Sequence, residues 1–467
     1  MSSIREKSES WDLLTIILVV ILLTMGVVNL YSAAYNANHT SIFDISTLYG
    51  KQIMWIGIGL FFGIVISLIE SEYIIKLTPI AFIVVTILLV LVLFTEPING
   101  ARSWLGIGAF GVQPSEFSKF TTSLMLAYVI SQGSSRKMVS NQSLVSALLV
   151  VVFTMIMVLI QNDTGTFLVF TSFFFVMYRE GITMDPIILF FLNNVLGYKF
   201  KQTWFGVHFI PVLFIITFFS IIILYFTDSI YIYSFLPGYE VPGWLILLFS
   251  ITVLSLVIFV IIQQFVSERS KRKLRAVLFL LYFISIGFVG LVSYTYLNVL
   301  QVHQKDRIDL WLGKIQDQDG KDYNRNRALA AVGSGGFSGV GYQEALLSSP
   351  RSKHVPESET DFIFSVFSEE WGFLGSGTLV ILFTILLIRI IMIAERQKSR
   401  FSRIYANSVA MILFYHFAIN VGMNIGLIPV IGIPLPFFSY GGSAIMTFLV
   451  MIMILLKLDS QRKEFLE

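Results

Sequence analysis

The sequence predicts an all-α polytopic membrane protein, with about twelve transmembrane helices and one long extracytoplasmic loop. Three observations carry that prediction. Apolar residues make up 56% of the 467-residue chain and charged residues 13%, against roughly 45–50% and 25% in soluble domains. Several runs of roughly 18 or more residues carry almost no charge, while the short alternating segments of a β-barrel are absent. The small net charge of +3 comes mainly from short basic loops and does not point to nucleic acid. With no cysteine, disulfide frameworks, Cys-ligated zinc and thiol catalysis are excluded. The five histidines are scattered and form no HExxH pair.

At ~20 residues per span, the apolar runs fall at 12–34, 50–69, 75–95, 115–131, 143–160, 164–180, 208–227, 243–265, 276–296, 362–390, 404–427 and 437–458. The runs at 115–131 and 164–180 are short and need shielding by neighbours. The stretch 184–205 is interrupted and reads as an interfacial or re-entrant piece. The first run is too long for a signal h-region, so no cleavable signal is expected. Lys and Arg bias the loops so that both termini are cytoplasmic. Arg5, Lys7, Lys76, Arg136, Lys137, Arg179, Lys199 and Lys201 fall inside, as do the basic runs near 269–275 and 396–403. The short outside loops hold little beyond Lys51 and Arg102. Region 297–361 then faces outward, and its length marks it as functional.

The stretch HVPESETDFIFSVFSEEWGFLG, 354–375, passes from an acidic run straight into an apolar segment. Thr360 or Asp361 sits where a helix N-cap belongs. At about 100° per residue, Ser365 and Ser368 share a face with Asp361, and Glu369 lies near its edge. Glu369 is then roughly 12 Å deep in the apolar layer. A carboxylate at that depth needs a polar cavity or a partner, which predicts the wall of an intramembrane active site.

Other polar clusters accompany it. NGARSWLGIGAFGVQPSEFSK, 99–119, is a turning glycine loop carrying Arg102 and Trp104. Pro114 opens the next helix, with Glu116 and Lys119 at i, i+3. That pair either serves a site or only satisfies itself. QNDTGT, 161–166, is a tight turn in which Asp163 is equally a helix cap or a catalytic group. QVHQKDR, 301–307, offers Lys305 and Arg307 to phosphate oxygens, or is a solvated loop. In VGSGGFSGVG, 332–341, converging N–H groups suit an anion, although no Walker pattern follows. The Pro- and Gly-broken segment 420–443 is either a wall for a lipid tail or headgroup, or a structural re-entrant turn. His416, alone in an apolar run, reads as a hydrogen-bonded core histidine and is left out of the site.

Together, WDLL…NLYSA (Trp11 to Ala33), NGARSWLGIG…QPSEFSK, QNDTGT, the Gln304–Arg307 loop, VGSGGFSGVGY, the 354–375 stretch and NIGLIPVIGIPLPFFSYGGS resemble the SEDS family of cell-wall synthases. The resemblance spans nearly the whole chain and is closest to the elongation-type, rod-shape-determining members. It implies a family core of ten spans plus two. The domains are then a single integral-membrane domain over 1–467, inserted helices at 181–296 and the extracytoplasmic loop at 297–361.

The implied activity is that of a peptidoglycan glycosyltransferase polymerising lipid II on the outer face of the bacterial inner membrane. Asp361 is the implied essential carboxylate. Arg102, Lys119 and Arg307 are candidates for stabilising pyrophosphate, Trp104 for stacking on sugar and Glu116 for holding Lys119. Gln304, Ser334, Glu357 and Ser439 are further substrate-binding candidates. A divalent cation (Mg or Mn), with Asp361 as the candidate ligand, suits pyrophosphate chemistry, and no organic cofactor is implied. The implied partners are lipid II with its undecaprenyl-pyrophosphate-linked glycan, a class B penicillin-binding protein transpeptidase and the elongation complex. A helix N-terminus favours an ionised Asp361, while Glu357, Glu359 or burial favour its protonated form, so base and orienting roles both stand. The alternative functions are a lipid-linked precursor flippase or transporter, a division-type polymerase, and a scaffold that docks a synthase.

Overall fold

A computed structural model of the protein describes residues 11–35, 41–97, 101–106, 111–132, 141–190, 193–194, 201–227, 230–232, 240–315, 323–348 and 355–462. Arg5, Lys7, Gly100, Gly108, Arg136, Lys137, Lys199 and His354, which entered the sequence reading, lie outside those residues. The helices are, in order, α1 (Leu13–Ala33), α2 (Leu48–Leu68), α3 (Ser71–Leu91), α4 (Pro114–Gln132), α5 (Asn141–Ile160), α6 (Thr164–Phe170), α7 (Ser172–Arg179), α8 (Asp185–Phe190) and α9 (Trp204–Val207). There follow α10 (Phe209–Thr227), α11 (Gly243–Phe265), α12 (Glu268–Tyr294), α13 (Val302–Trp311), α14 (Tyr323–Ser334), α15 (Ile363–Arg396), α16 (Arg400–Asn424) and α17 (Gly442–Ser460). The helices fall into two compact units, residues 1–207 with 323–467, and residues 208–322.

Among the described residues, 10 helices are long and apolar enough to cross a membrane. Two of the twelve expected spans fall short of that standard. The 164–180 run breaks at Thr171 into α6 and α7, of 7 and 8 residues. Helix α4 has 19 residues but buries Ser115, Glu116, Ser118, Lys119, Thr121, Thr122 and Ser123. Its polar side chains are shielded by α3, α5, α16 and α17, which pack around it. Helix α17 is the most enclosed span, with 89% of its apolar window buried, and its main neighbour is α2. Among its described residues, the 184–205 stretch forms the short α8 and α9, tied by Thr203 N–H and O–H donating to Asp185 Oδ1 at 2.9 and 2.6 Å.

Two readings of the acidic stretch need correction. The N-cap of α15 is Phe362, with no side-chain cap, so neither Thr360 nor Asp361 caps it. Glu369 is buried but is not on a cavity wall. Its carboxylate accepts the N–H groups of Leu346, Leu347 and Ser348, each at 2.8 Å, and the Ser348 hydroxyl at 2.5 Å. The partner foreseen for a deep carboxylate is therefore a turn of the chain's own backbone, and the role is structural. Ser365 donates to Asn424 Oδ1 at 2.5 Å, and Ser368 accepts from Ser376 at 2.9 Å.

The glycine-rich loop after α14 is a clasp rather than an anion cradle. Helix α15 kinks at Gly372, where φ is 63°, a conformation that glycine adopts freely. The kink frees backbone groups that the loop satisfies. Val340 N–H donates to Glu369 O at 3.0 Å and Gly341 N–H to Glu370 O at 3.1 Å. In return Phe373 and Leu374 donate to Gly336 O and Phe337 O at 2.9 and 3.1 Å. A Cβ on Gly339 would lie 2.1 Å from Glu370 O, which explains the residue.

An ionic network closes the end of the first unit formed by the start of α1 and the ends of α15 and α17. Arg389 donates to both Asp12 oxygens, at 3.1 and 2.6 Å, and Arg396 to Asp12 Oδ2 at 2.8 Å. Arg396 also pairs with Asp459, which Gln397 and Arg462 engage as well. Nearby, Arg403 donates to both Glu180 oxygens, at 3.1 and 2.8 Å.

The second unit contains α10 to α13 and a two-stranded antiparallel ribbon, Ile230–Ile232 with Glu240–Pro242. Its buried polar anchor is Asp309, which accepts the Tyr296 hydroxyl at 2.5 and 2.6 Å and lies 3.5 Å from Lys314.

Candidate active site

At the end of the first unit opposite the ionic network, the starts of α4, α6, α15 and α17 enclose a cavity of about 690 Å³. Four segments far apart in sequence build it. The first is the 101–113 loop, closed by reciprocal hydrogen bonds between Leu105 and Val112 at 2.8 and 2.6 Å. It places Trp104, 39% exposed, on the wall. The second is the 161–166 turn. Asp163 Oδ1 accepts from Thr166 N–H at 2.9 Å, which caps α6. Its Oδ2 accepts from Gln113 and Ser115 at 2.8 and 2.9 Å. The capping role considered for Asp163 is thus present, on a residue that also lines the cavity.

The third segment is the 355–362 turn that carries Asp361. Thr360 N–H and Phe362 N–H both donate to Glu357 O, at 3.2 and 3.1 Å. Glu357 holds a φ of 54°, a left-handed conformation uncommon outside glycine. The amides of Asn420 and Asn424 on α16 donate to Asp361 O at 3.0 and 3.1 Å. Asn420 also donates to Ile433 O at 2.7 Å, which couples this turn to the fourth segment.

The fourth segment, 431–441, is the broken region between α16 and α17. Gln52 on α2 donates to Ser439 O at 2.9 Å and accepts from Gly441 N–H at 3.3 Å. Tyr440 N–H donates to Glu359 O at 2.9 Å. Burial raises the Tyr440 phenol above its ordinary range, so it remains a neutral hydroxyl on the wall.

Behind the wall lies a buried charge pair. Lys119 Nζ donates to Glu116 Oε1 at 2.7 Å and to His416 Nε2 at 2.9 Å, and it stands 5.6 Å from the centre of the Phe448 ring. Glu116 and His416 line the cavity; Lys119, 1% exposed, sits behind them.

Of the sequence-predicted residues, the structure therefore brings Trp104, Glu116, Glu357 and Asp361 to one cavity, with Lys119 in contact with its wall. Arg102, Ser439 and Ser334, in the same unit, do not line it. Arg102 is exposed, and its guanidinium donates to Leu93 O at 3.3 Å. Ser439 is buried, and its hydroxyl accepts from Leu435 N–H at 2.8 Å, so it shapes the loop rather than facing the cavity. Ser334 is exposed on the clasp and donates to Ala331 O at 2.8 Å. Gln304 and Arg307 belong to α13 of the second unit, where Gln304 Oε1 accepts from Gln301 N–H at 3.1 Å and Arg307 is exposed. The lining also includes residues that sequence reasoning passed over, notably Trp55, Gln113, Thr166 and His416. Gln113 and Thr166 sit inside motifs already singled out. Trp55 carries no local signal, and His416, set aside as a hydrogen-bonded core histidine, is hydrogen-bonded as expected but also lines the cavity.

Four carboxylates line the cavity (Glu116, Asp163, Glu357 and Asp361), with no Lys or Arg among the described lining residues. No group of three or more His, Cys, Asp or Glu among the described residues is placed to hold a metal ion. The described side chains alone therefore do not form a preassembled cation site.

The comparisons with known proteins agree with this architecture. A family model described as cell cycle protein, covering FtsW, RodA and SpoVE, matches residues 12–198 and 231–464. The peptidoglycan glycosyltransferase RodA of Treponema pallidum is 28% identical over 484 residues, covering 98% of this chain and 99% of that protein. Stage V sporulation protein E of Bacillus subtilis is 28% identical over 460 residues, covering 97% and 98%. Among solved structures, one of a peptidoglycan synthase complex that coordinates polymerization and crosslinking aligns at a TM-score of 0.61 with 21% identity, over 98% of this chain and 99% of the matched chain. The crystal structure of Thermus thermophilus rod shape determining protein RodA aligns at 0.53 with 19% identity, over 97% and 98%. This chain, a multi-pass membrane protein, belongs to the FtsW, RodA and SpoVE family of cell cycle proteins.

Proposed function

We propose that the protein is a peptidoglycan glycosyltransferase that polymerises lipid II into glycan strands during cell elongation. The observation that supports this most directly is the convergence of Asp361, Glu357, Glu116 and Trp104 on one cavity, in a chain alignable end to end with a RodA of that activity. The reaction joins a sugar hydroxyl to the anomeric carbon of a second, pyrophosphate-linked sugar. The new bond forms from the hydroxyl oxygen, the bond to the pyrophosphate oxygen breaks, and the lipid pyrophosphate leaves with the bonding pair. The hydroxyl proton needs an acceptor.

Asp361 is the acceptor in this reading. It lies on a turn whose backbone is fixed by Asn420 and Asn424, so its position does not depend on a mobile loop. Trp104, partly exposed on the wall, offers a face to a sugar ring. Divalent-cation dependence belongs to the proposal only as a cation entering with the pyrophosphate, since the described side chains form no site of their own.

The likeness to a synthase complex that couples polymerization to crosslinking supports a transpeptidase partner of the class B penicillin-binding type. In the same reading the membrane is the bacterial inner membrane. The ionic network and both termini are cytoplasmic, and the cavity faces outward. Purified protein given lipid II should build glycan polymer, and more of it with the transpeptidase present. A protein that moves lipid II between leaflets of a vesicle but builds no polymer would instead be a transporter.

A further inference from the structure

His416 is the only histidine among the described lining residues, and its hydrogen bonds fix both of its nitrogens. The Lys119 ammonium carries donors and no acceptor, so at 2.9 Å it must donate to His416 Nε2. The imidazole is then neutral with its proton on Nδ1, which donates to Pro434 O at 3.1 Å. The ring stands edge-on to Phe448, with centroids 4.9 Å apart and planes at 85°. It thus ties α4 to the broken segment that forms the cavity wall.

The consequence falls on Glu116. Lys119 occupies Glu116 Oε1. The other oxygen, Oε2, is buried and has no partner among the described residues, although Glu116 lines the cavity. A buried carboxylate oxygen without a donor is costly, unless a ligand supplies one.

We infer that His416 is a positioning residue of the glycan-forming reaction: it holds Lys119 on Glu116 Oε1 and so presents Glu116 Oε2 to a hydroxyl or amide N–H of the bound sugar. The inference rests on the glycosyltransferase reading above. It adds a residue on α16 that acts through Lys119, 297 positions away in sequence.

Two variants of the full-length protein test it. H416F keeps the ring and its packing on Phe448 but removes the acceptor and the donor. H416Q restores an acceptor near the place of Nε2. With lipid II as substrate, H416F should lower kcat about tenfold or more, and H416Q should recover most of that loss. A purely packing role predicts that H416F works as well as the wild type. That result overturns the inference, as does an H416Q no better than H416F.

Should H416F fail to fold, ¹⁵N NMR of wild-type protein decides. The histidine signal missing from H416Q spectra should show the Nδ1-protonated tautomer, and an Nε2-protonated ring overturns the inference. If wild-type protein makes no polymer, the glycosyltransferase reading fails, while the tautomer measurement still tests the geometry.

Discussion

Gly432 and Asp361 meet across the cavity wall so closely that a methyl group on Gly432 would lie 3.0 Å from Asp361 Oδ2. Gly432 also holds a φ of 82°, where an L side chain is strained. The carboxylate proposed to take the proton is therefore braced by a residue with no side chain. Gly432→Ala should cost about 1–2 kcal/mol of stability from the backbone. Polymerisation should fall by roughly ten- to a hundredfold, because small displacements of reacting groups are expensive. Thermal unfolding in detergent, run beside the polymerisation assay, separates the two effects. Equal and small losses in both would mean that Asp361 has room to spare.

The Glu369 carboxylate holds the 346–348 turn with four donors and does not line the cavity. Glu369→Ala strands three buried or half-buried N–H groups and should destabilise by about 2–4 kcal/mol. Whatever fraction folds should retain wild-type turnover per molecule. Normal stability in Glu369→Ala would contradict the structural role given to this carboxylate.

Asp459 is fully buried and shared by Arg396, Arg462 and Gln397. Asp459→Asn leaves those guanidinium groups without their common counter-charge and should cost about 2–3 kcal/mol. The loss should shrink little in high salt, since the carboxylate is out of reach of counterions. Midpoints of thermal unfolding at low and high ionic strength measure both points.

Burial alone would raise the Asp12 carboxyl, but hydrogen bonds from Arg389, Thr15 and Arg396 outweigh it and hold the group well below the usual carboxylate range. Because the folded-state value is depressed, this contribution to stability is fully present above the unfolded value of 3.8 and is lost as pH falls through the folded value. The difference in unfolding midpoint between wild type and Asp12→Asn should therefore stay constant from about pH 7 to pH 5 and narrow only below about pH 4. A difference that already narrows between pH 7 and pH 5 would contradict the bidentate pairing with Arg389.

The spans were legible because hydropathy is a local property. Runs such as 12–34 and 243–265 correspond to α1 and α11 to within a residue or two. The short run 115–131 corresponds to α4, and the shielding it needs comes from the helices packed around it, since a polar helix survives there only by facing other helices. Trp104, Glu116, Glu357 and Asp361 reach one cavity because each lies in a short motif at the same end of its helix.

Glu369 was misassigned for a physical reason. Helical periodicity gives its face and depth, but the kink at Gly372 and the turn that satisfies it are tertiary features. His416 shows the same limit, because its partner Lys119 lies on a different helix and nothing in the run around it signals that contact. Ser439 stands in a glycine- and proline-rich motif whose polar atoms serve the loop's own backbone.

The central claim is that Asp361 accepts the proton of the attacking hydroxyl. Asp361→Ala, purified in detergent and shown by its unfolding midpoint to be folded, should form no polymer from lipid II while wild-type protein does. Polymer of wild-type length and yield from that variant would remove Asp361 from the reaction and contradict the account.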